Sequence, residues 1–282
     1  MNKRPRADGL TKTTLVNSDD AAVLARHGLD SVAGAFAYSG GQELVKAGLG
    51  LRRRVRLNLT DGAGASVSWY LKCYDAPPTW KRLCRWLVGR GKRGPARREF
   101  ENVRRLNELG IPSMRPVAMG EESDLLGVRR GYLVVSAVPG EALERCFDEF
   151  LTRHGADSTE VGAFTAALAD LVARLHAAGL VHRDLYAAHI FLERSEGPVK
   201  LYLIDLARVF RPRWRRFRWR VKDLAALKYS MPAAWVDRHW ETFLRDELSA
   251  MGGPAEMDRC RRAVERKVAC MRRRQRRKDG RS

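Results

Sequence analysis

Between Gln42 and Tyr74 apolar positions recur at every second residue, the period of a strand with one buried face. QELVK (42–46), RVRLNL (54–59) and VSWYLKCY (67–74) therefore predict a three-stranded meander, with Asp61-Gly62 as a hairpin signal in the turn DGAGAS. Before it, residues 1–17 read as a basic, polar lead-in, and Ser18-Asp19-Asp20 is suited to cap a short helix running to Arg26 and ended by Gly28. After it, a basic stretch (80–98) leads into a helix with Phe100, Val103, Leu106 and Leu109 on one face, ended by Gly110 and Pro112. GYLVVSAV (131–138) is again strand, and Pro139-Gly140 breaks the chain.

Beyond that break the period changes to that of a helix. Val161, Phe164, Leu168, Leu171, Val172 and Leu175 form the apolar stripe of a helix over 158–178, with Asp157 or Ser158 as N-cap, Glu160 in the first turn and Gly179 past the end. Short strands at 189–193 and 200–205 precede a helical remainder. Gly252-Gly253 and Pro254 open a last helix, whose narrow stripe is Met257, Cys260, Val264, Val268 and Met271; RRRQRRKDGRS (272–282) is predicted disordered. The fold class is α+β with two lobes: an N-terminal extension with a short helix (1–40), a strand-rich N-lobe (41–138), a mainly helical C-lobe (139–253), and a basic C-terminal helix and tail (254–282).

Charge narrows the range of partners. Lys and Arg number 53 against 33 Asp and Glu, a formal net charge of +20, which implies contact with an anion: nucleotide, phosphorylated glycan, nucleic acid or acidic membrane. The five cysteines are odd in number and contain no C-x-x-C pair, which argues against a disulfide framework or structural zinc and for a reducing compartment. MNKRPR is followed by a polar stretch where a signal peptide needs its apolar region, and no run approaches the roughly 18 apolar residues of a membrane span. The expectation is a cytoplasmic protein, with any attachment to the inner face of the cytoplasmic membrane peripheral.

The chemistry concentrates in LVHRDLYAAHIFL (180–192) and LIDLAR (203–208). Phosphoryl transfer needs a carboxylate near the attacking hydroxyl, a second carboxylate to hold Mg²⁺ against the phosphates, and cations to offset developing charge. Asp184 and Asp205 supply the carboxylates, each at the end of an apolar run, and His182-Arg183-Asp184 forms an H-R-D loop motif. Upstream, Lys72 lies in a strand, and Glu99 opens the next helix on the face of Val103 and Leu106, with Glu101 the alternative partner for the lysine. Taken singly, Lys72 reads as a strand lysine extending its stem along the sheet, and H-R-D as an ordinary loop. The four elements together, in this order, point to a kinase.

Four stretches resemble the lipopolysaccharide core kinase family, which phosphorylates heptose or Kdo sugars of the inner core: WKRLCRWLVGRGKRGPARREFENVRRLNELGIPSMRPVAMGE (80–121), HRDLYAAHIFL (182–192), LIDLARV (203–209) and VKDLAALKYS (221–230). The likeness covers residues 40–245, and the tyrosine and histidine of HRDLYAAH separate it from ordinary protein kinases. It implies a protein-kinase-like two-lobed fold using ATP and Mg²⁺. Asp184 would be the base and Asp205 the Mg²⁺ ligand, with Lys72 and Glu99 positioning ATP. Gly48 and Gly50 would lie in the phosphate-covering loop, or equally in a plain hairpin turn. Val135 and Ser136, within 134–138, would belong to the hinge that receives adenine. Asp223 resembles an aspartate that braces the catalytic loop from a helix below it, and Lys222 reaches either the active site or only its surroundings. His189 stands where protein kinases carry an asparagine for a second magnesium; as a poor Mg²⁺ ligand it bonds Asp184, bonds a phosphate, or packs. Tyr186 replaces a lysine commonly found beside the transferred phosphate, and Leu206-Ala207 replaces the Phe-Gly of the metal motif.

The segment ARVFRPRWRRFRWRVK (207–222) interleaves arginines with aromatics. That pattern serves nucleic-acid binding, an anionic glycolipid, or a helix whose aromatics face the core. Its position in a kinase-like fold favours a glycolipid or lipopolysaccharide-core acceptor over nucleic acid and makes Tyr186, Arg208, Arg211, Trp214, Arg215 and Arg216 candidate acceptor-site residues. Two rivals stand against this reading. A catalytically inactive kinase-like fold binding nucleic acid or anionic membrane has no need of Lys72, Asp184 and Asp205 together; an atypical protein kinase is opposed by Tyr186 and His189. The basic C-terminus either docks as a last helix or also contacts an anionic membrane.

Overall fold

A computed structural model of the protein describes residues 10–44, 52–75, 78–80, 82, 84, 93–193, 197–249 and 254–280. The chain divides into two compact units, one of residues 1–105 and 114–137, the other of 106–113 and 138–282.

The first unit is built on a six-stranded antiparallel sheet. In chain order the strands are β1 (Thr11–Val16), β2 (Gln42–Glu43), β3 (Arg52–Thr60), β4 (Ser66–Tyr74), β5 (Pro116–Asp124) and β6 (Gly127–Ser136); across the sheet the order is β1-β5-β6-β4-β3-β2. The predicted meander is β2-β3-β4. Its turn is tied by Asp61, whose Oδ1 accepts from Ala63 N and Ala65 N, both at 2.8 Å. The positive φ of that turn falls on Gly64 (φ +85°). The lead-in expectation for residues 1–17 is corrected: Thr11–Val16 pairs antiparallel with β5 from Thr11↔Ser123 to Val16↔Ala118 and forms the sheet edge. Its alternation, TKTTLV, is too polar to stand out as a strand in the sequence.

Two short helices, α1 (Ala21–Arg26) and α2 (Val32–Ala37), pack on this sheet, and the second has no signal in the sequence. Leu24, Leu29, Val32 and Ala35 share one buried cluster with Leu57, Leu71, Val117 and Val134. Asp20, within the expected capping segment, holds the N-cap position of α1 but makes no side-chain cap bond, because it is drawn into a two-pronged ion pair with Arg115; Asn17 caps the 3-10 turn Ser18–Asp20 before it, accepting from Asp19 N. Helix α3 (Pro95–Glu108) buries Glu99, Phe100, Val103 and Leu106, but Leu109 lies past its end and is exposed. Ile111 takes the buried place instead, after Gly110 turns the chain at φ +64°.

The second unit is mainly helical. It contains α4 (Leu143–His154), α5 (Thr159–Ala177), α6 (Arg216–Ser230), α7 (Ala233–Leu248) and α8 (Pro254–Asp279), with a small antiparallel sheet of β7 (Glu141–Ala142), β8 (Ile190–Glu193) and β9 (Lys200–Leu203). Gly140, at φ +83°, lets the chain pass the β8 backbone: a Cβ there would stand 2.0 Å from the Leu192 carbonyl oxygen. Ser158 caps α5, accepting from Val161 N at 3.2 Å, and the predicted stripe from Val161 to Leu175 is buried.

Helix α8 docks by Cys260, Val264 and Val268, which are buried, while Arg259 lies over the Phe217 ring of α6 and Lys228 pairs with Glu265. The predicted disorder after Met271 is corrected, since the helix continues to Asp279. Arginine, lysine and glutamine are good helix formers, Gln275 bonds Asp279 one turn on, and Arg276, Arg277 and Lys278 complement the helix dipole. The apolar stripe is engaged in packing, and the exposed residues along the last turns are mostly cations. Among the described residues no helix is long and apolar enough to cross a membrane.

Candidate active site

Within the sheet unit, strand β4 places Lys72 and Tyr74 on one face, two residues apart. Both reach Glu99 in the first turns of α3: Lys72 Nζ donates to Oε1 at 2.5 Å and Tyr74 Oη to Oε2 at 2.6 Å. Glu99 is fully buried, and Glu101 instead pairs with Arg97 and Arg93 at the surface. Tyr74 was absent from the expected site, although its spacing from Lys72 was a usable signal. Burial, and then the Glu99 charge, pushes its hydroxyl well above the usual tyrosine range, so it stays a donor. Val135 is fully buried in β6 opposite Tyr70, and Ser136 Oγ accepts from Arg115 N at 2.9 Å. Gly48 and Gly50 lie outside the described residues.

Within the helical unit, the loop between α5 and β8 carries His182, Arg183, Asp184, Tyr186 and His189. Asp223, buried in α6, accepts from His182 N at 2.6 Å and from Arg183 N at 2.7 Å. Arg183 sits at φ +72°, a conformation that costs a side-chain-bearing residue about 1–3 kcal/mol, and the Asp223 bonds hold it there. The turn brings Asp184 round to Arg208, whose Nη1 donates to Asp184 Oδ1 at 2.7 Å. Tyr186 packs edge-on to His189, with ring centroids 6.4 Å apart.

His189 Nδ1 lies 2.7 Å from the Asp184 carbonyl oxygen. A carbonyl only accepts, so Nδ1 carries the proton and Nε2 is turned toward Asp205 Oδ2, 3.9 Å away. Of the three roles open to His189, this is the bond to Asp184, made through its backbone. His182 works in parallel. Its Nε2–H donates to the Ile204 carbonyl at 3.0 Å, next to Asp205, and burial depresses its pKa so that the ring is neutral. The two imidazoles stack at 5.9 Å and tie the loop of Asp184 to that of Asp205, which sits at φ 56°.

Of the remaining candidates, Arg211 donates to the Ala178 carbonyl and Trp214 is 82% exposed. Arg215 begins α6 at φ 57°, followed by an exposed Arg216. Lys222 lies over the Trp219 ring at 4.3 Å. The aromatics of 207–222 divide: Phe210 and Trp219 pack edge to face at 5.1 Å while Trp214 faces solvent, so neither the core reading nor the open-surface reading holds throughout.

Behind Asp223 lies a buried group that the sequence did not disclose. His176 of α5 bonds Glu247 of α7 through Nδ1 at 2.6 Å and brings Nε2 to 3.6 Å from Asp223 Oδ2; Arg220 of α6 holds both Glu247 oxygens at 2.9 Å. Burial alone would depress the His176 pKa, but the two carboxylates outweigh it and raise it. Burial likewise works to raise the Glu247 carboxyl, and His176 with Arg220 leaves it below the usual glutamate value. His176 and Arg220 thus face the carboxylates of Asp223 and Glu247 in one buried group.

The raised His176 pKa contributes stability in full below its ordinary value of 6.5, lost as pH climbs through the folded value. The lowered Glu247 pKa contributes above its ordinary value of 4.5, lost as pH falls through the folded value. Glu247→Gln is expected to destabilise by about 3–5 kcal/mol, since it leaves buried cations unpaired, and to move the alkaline decline of Tm to lower pH. Melting curves from pH 4 to 9 check this; parallel curves for variant and wild type would contradict the pairing.

Residues 52–246 match the lipopolysaccharide kinase (Kdo/WaaP) family. Over 140 residues the chain is 33% identical to the lipopolysaccharide core heptose(I) kinase WaaP of Pseudomonas aeruginosa, an alignment covering 48% of this chain and 52% of that one. Over 188 residues it is 33% identical to the protein of the same description from Escherichia coli, covering 64% of this chain and 67% of the other. The alignment thus spans about half the length of the first relative and two thirds of the second. A solved structure, WaaP in complex with acyl carrier protein, matches with a TM-score of 0.68 at 26% identity, over 91% of this chain and 98% of that chain. The antiparallel-sheet unit and the helical unit are those of a kinase-like fold. With most of its length matched, the chain belongs to the lipopolysaccharide kinase (Kdo/WaaP) family.

Proposed function

We propose that the protein is an ATP- and Mg²⁺-dependent kinase that phosphorylates a sugar hydroxyl, of heptose or Kdo, in the lipopolysaccharide inner core. The observation that carries this is the pair of carboxylates Asp184 and Asp205 on loops locked by Asp223, His182 and His189. Asp184 is the base. Arg208 engages its Oδ1, which leaves Oδ2 as the oxygen that accepts the proton of the sugar hydroxyl. Lys72, held by Glu99 and supported by Tyr74, binds the α- and β-phosphates of ATP.

Asp205, with an oxygen donor set, suits Mg²⁺, which commonly takes one or two protein carboxylates and completes its shell with phosphate and water. Among the described residues no cluster of three acidic, histidine or cysteine side chains offers a fuller metal site. Bound there, the ion would neutralise charge on the phosphates. His189, whose nitrogen is a poor magnesium ligand, fixes the Asp184 backbone.

The test incubates the full-length protein with labelled ATP, Mg²⁺ and a panel of lipopolysaccharide cores, other glycolipids and generic proteins. Label is expected in the inner core alone. In the same assay Asp205→Ala loses activity and Mg²⁺-dependent ATP binding together, whereas His189→Asn slows turnover with an unchanged Mg²⁺ requirement. Transfer to proteins, or to nothing, would end this reading.

A further inference from the structure

Beside Asp184 lies a group of cations with no acid to balance it. Arg183 places its guanidinium carbon 5.3 Å from the Trp219 ring and 5.6 Å from that of Phe210, while Lys222 Nζ stands 4.3 Å from the same Trp219 ring. Two cations on one indole are held by ring electrons instead of carboxylates. Arg218, one residue before Trp219, and Lys267 of α8 act on Lys222 as further like charges. Among the described residues none of Arg183, Arg218, Lys222 and Lys267 forms an ion pair with a carboxylate. Their mutual repulsion is visible at Lys222, whose pKa is depressed by its burial and then by Arg218, Lys267, Arg183 and Arg208.

Like charges gathered without counter-ions are unfavourable, so such a group calls for an anionic ligand. Its construction is also specific. Arg183 is fixed by the same Asp223 bond that positions Asp184, the next residue in the chain. Lys222 precedes Asp223 on α6. The group is therefore held at a set place relative to the base, unlike the exposed arginines near Trp214.

We propose that Arg183 and Lys222, ranged about Trp219, bind an anionic oxygen group of the sugar acceptor, a carboxylate or a phosphate, and so set which hydroxyl meets Asp184. This rests on the reading of the protein as a lipopolysaccharide-core kinase.

The experiment uses full-length protein and four probes: de-acylated inner-core oligosaccharide with its Kdo carboxylates intact, the same oligosaccharide with those carboxylates reduced to alcohols, inorganic phosphate, and ATP. Binding is read by calorimetry and turnover with labelled ATP. Lys222→Gln and Arg183→Gln are each expected to weaken binding of an anionic probe about tenfold or more, with ATP affinity changed less than about twofold; Lys222→Arg restores binding. Loss for the intact oligosaccharide alone marks the carboxylate as the group recognised. Loss for inorganic phosphate as well marks a phosphate site. Undiminished affinity for both anions in the Gln variants, or an equal loss for ATP, overturns the proposal, the latter because it would assign the cations to the nucleotide. Absence of turnover with intact anion binding would defeat the kinase reading and leave the anion site standing.

Discussion

Asp184→Asn is expected to lower turnover on the true acceptor by about 10²–10⁴-fold, the usual value of general-base assistance, with ATP affinity and Tm close to wild type. Asparagine has nearly the same shape, and the bonds that shape this loop do not pass through the Asp184 carboxylate. Asp223 holds the backbone of His182 and Arg183, and His189 holds the Asp184 carbonyl. The ion pair to Arg208 is lost, but Arg208 is largely exposed and a surface pair contributes little, about 0–1 kcal/mol. Steady-state kinetics with separate measurement of ATP binding checks this. A variant with full kcat would remove Asp184 from the chemistry.

Asp223→Ala is expected to have the opposite signature, a large loss of stability as well as activity. The substitution strands the buried His182 N–H, costing about 1–3 kcal/mol, frees the part-buried Arg183 N–H, and takes one carboxylate from a buried charged group whose disruption costs about 3–5 kcal/mol. A fall in Tm on the order of 10 °C or more follows for a protein of this size. Arg183 would also lose the bond that holds it at positive φ, so residual folded protein should turn over slowly. A scan of thermal unfolding beside kcat separates the two variants: a normal melt for Asp223→Ala would mean that the loop is held by other bonds.

How far the sequence disclosed this site depends on where each signal resides. Lys72, Asp184, Asp205 and Asp223 stood out because each is a charged residue within or at the end of a largely apolar run, where solvation alone does not explain it. The choice of Glu99 over Glu101 followed from helical period, since only Glu99 shares the face of Val103 and Leu106, and Glu99 is the one bonded to Lys72. His176, Arg220 and Glu247 gave no such signal. Each lies in a helix at a position that a polar surface residue could occupy, and their pairing joins three separate helices. Period identifies the face of one helix and carries no information about what another helix brings to it. The same limit hid β1, whose partner β5 lies far along the chain, and α2, which is too short to show a period. Conversely, the helix beyond Met271 was missed because the expectation relied on apolar packing, whereas charge placement and propensity extend it without any.

The place of β1 bears on how this protein should be cut for laboratory production. The region that matches the family begins at residue 52, which invites trimming to that point. Such a fragment would lose the strand that covers β5, leaving a row of unpaired backbone groups open to the β5 edge of another copy. It would also strip Leu24, Leu29, Val32 and Ala35 from the sheet, baring Leu57, Leu71, Val117 and Val134. Ending at residue 246 removes Cys260, Val264 and Val268 from the helical unit as well. A sticky edge joined to newly wetted apolar surface favours precipitation over crystals, so the boundaries of family likeness are poor guides to a soluble fragment.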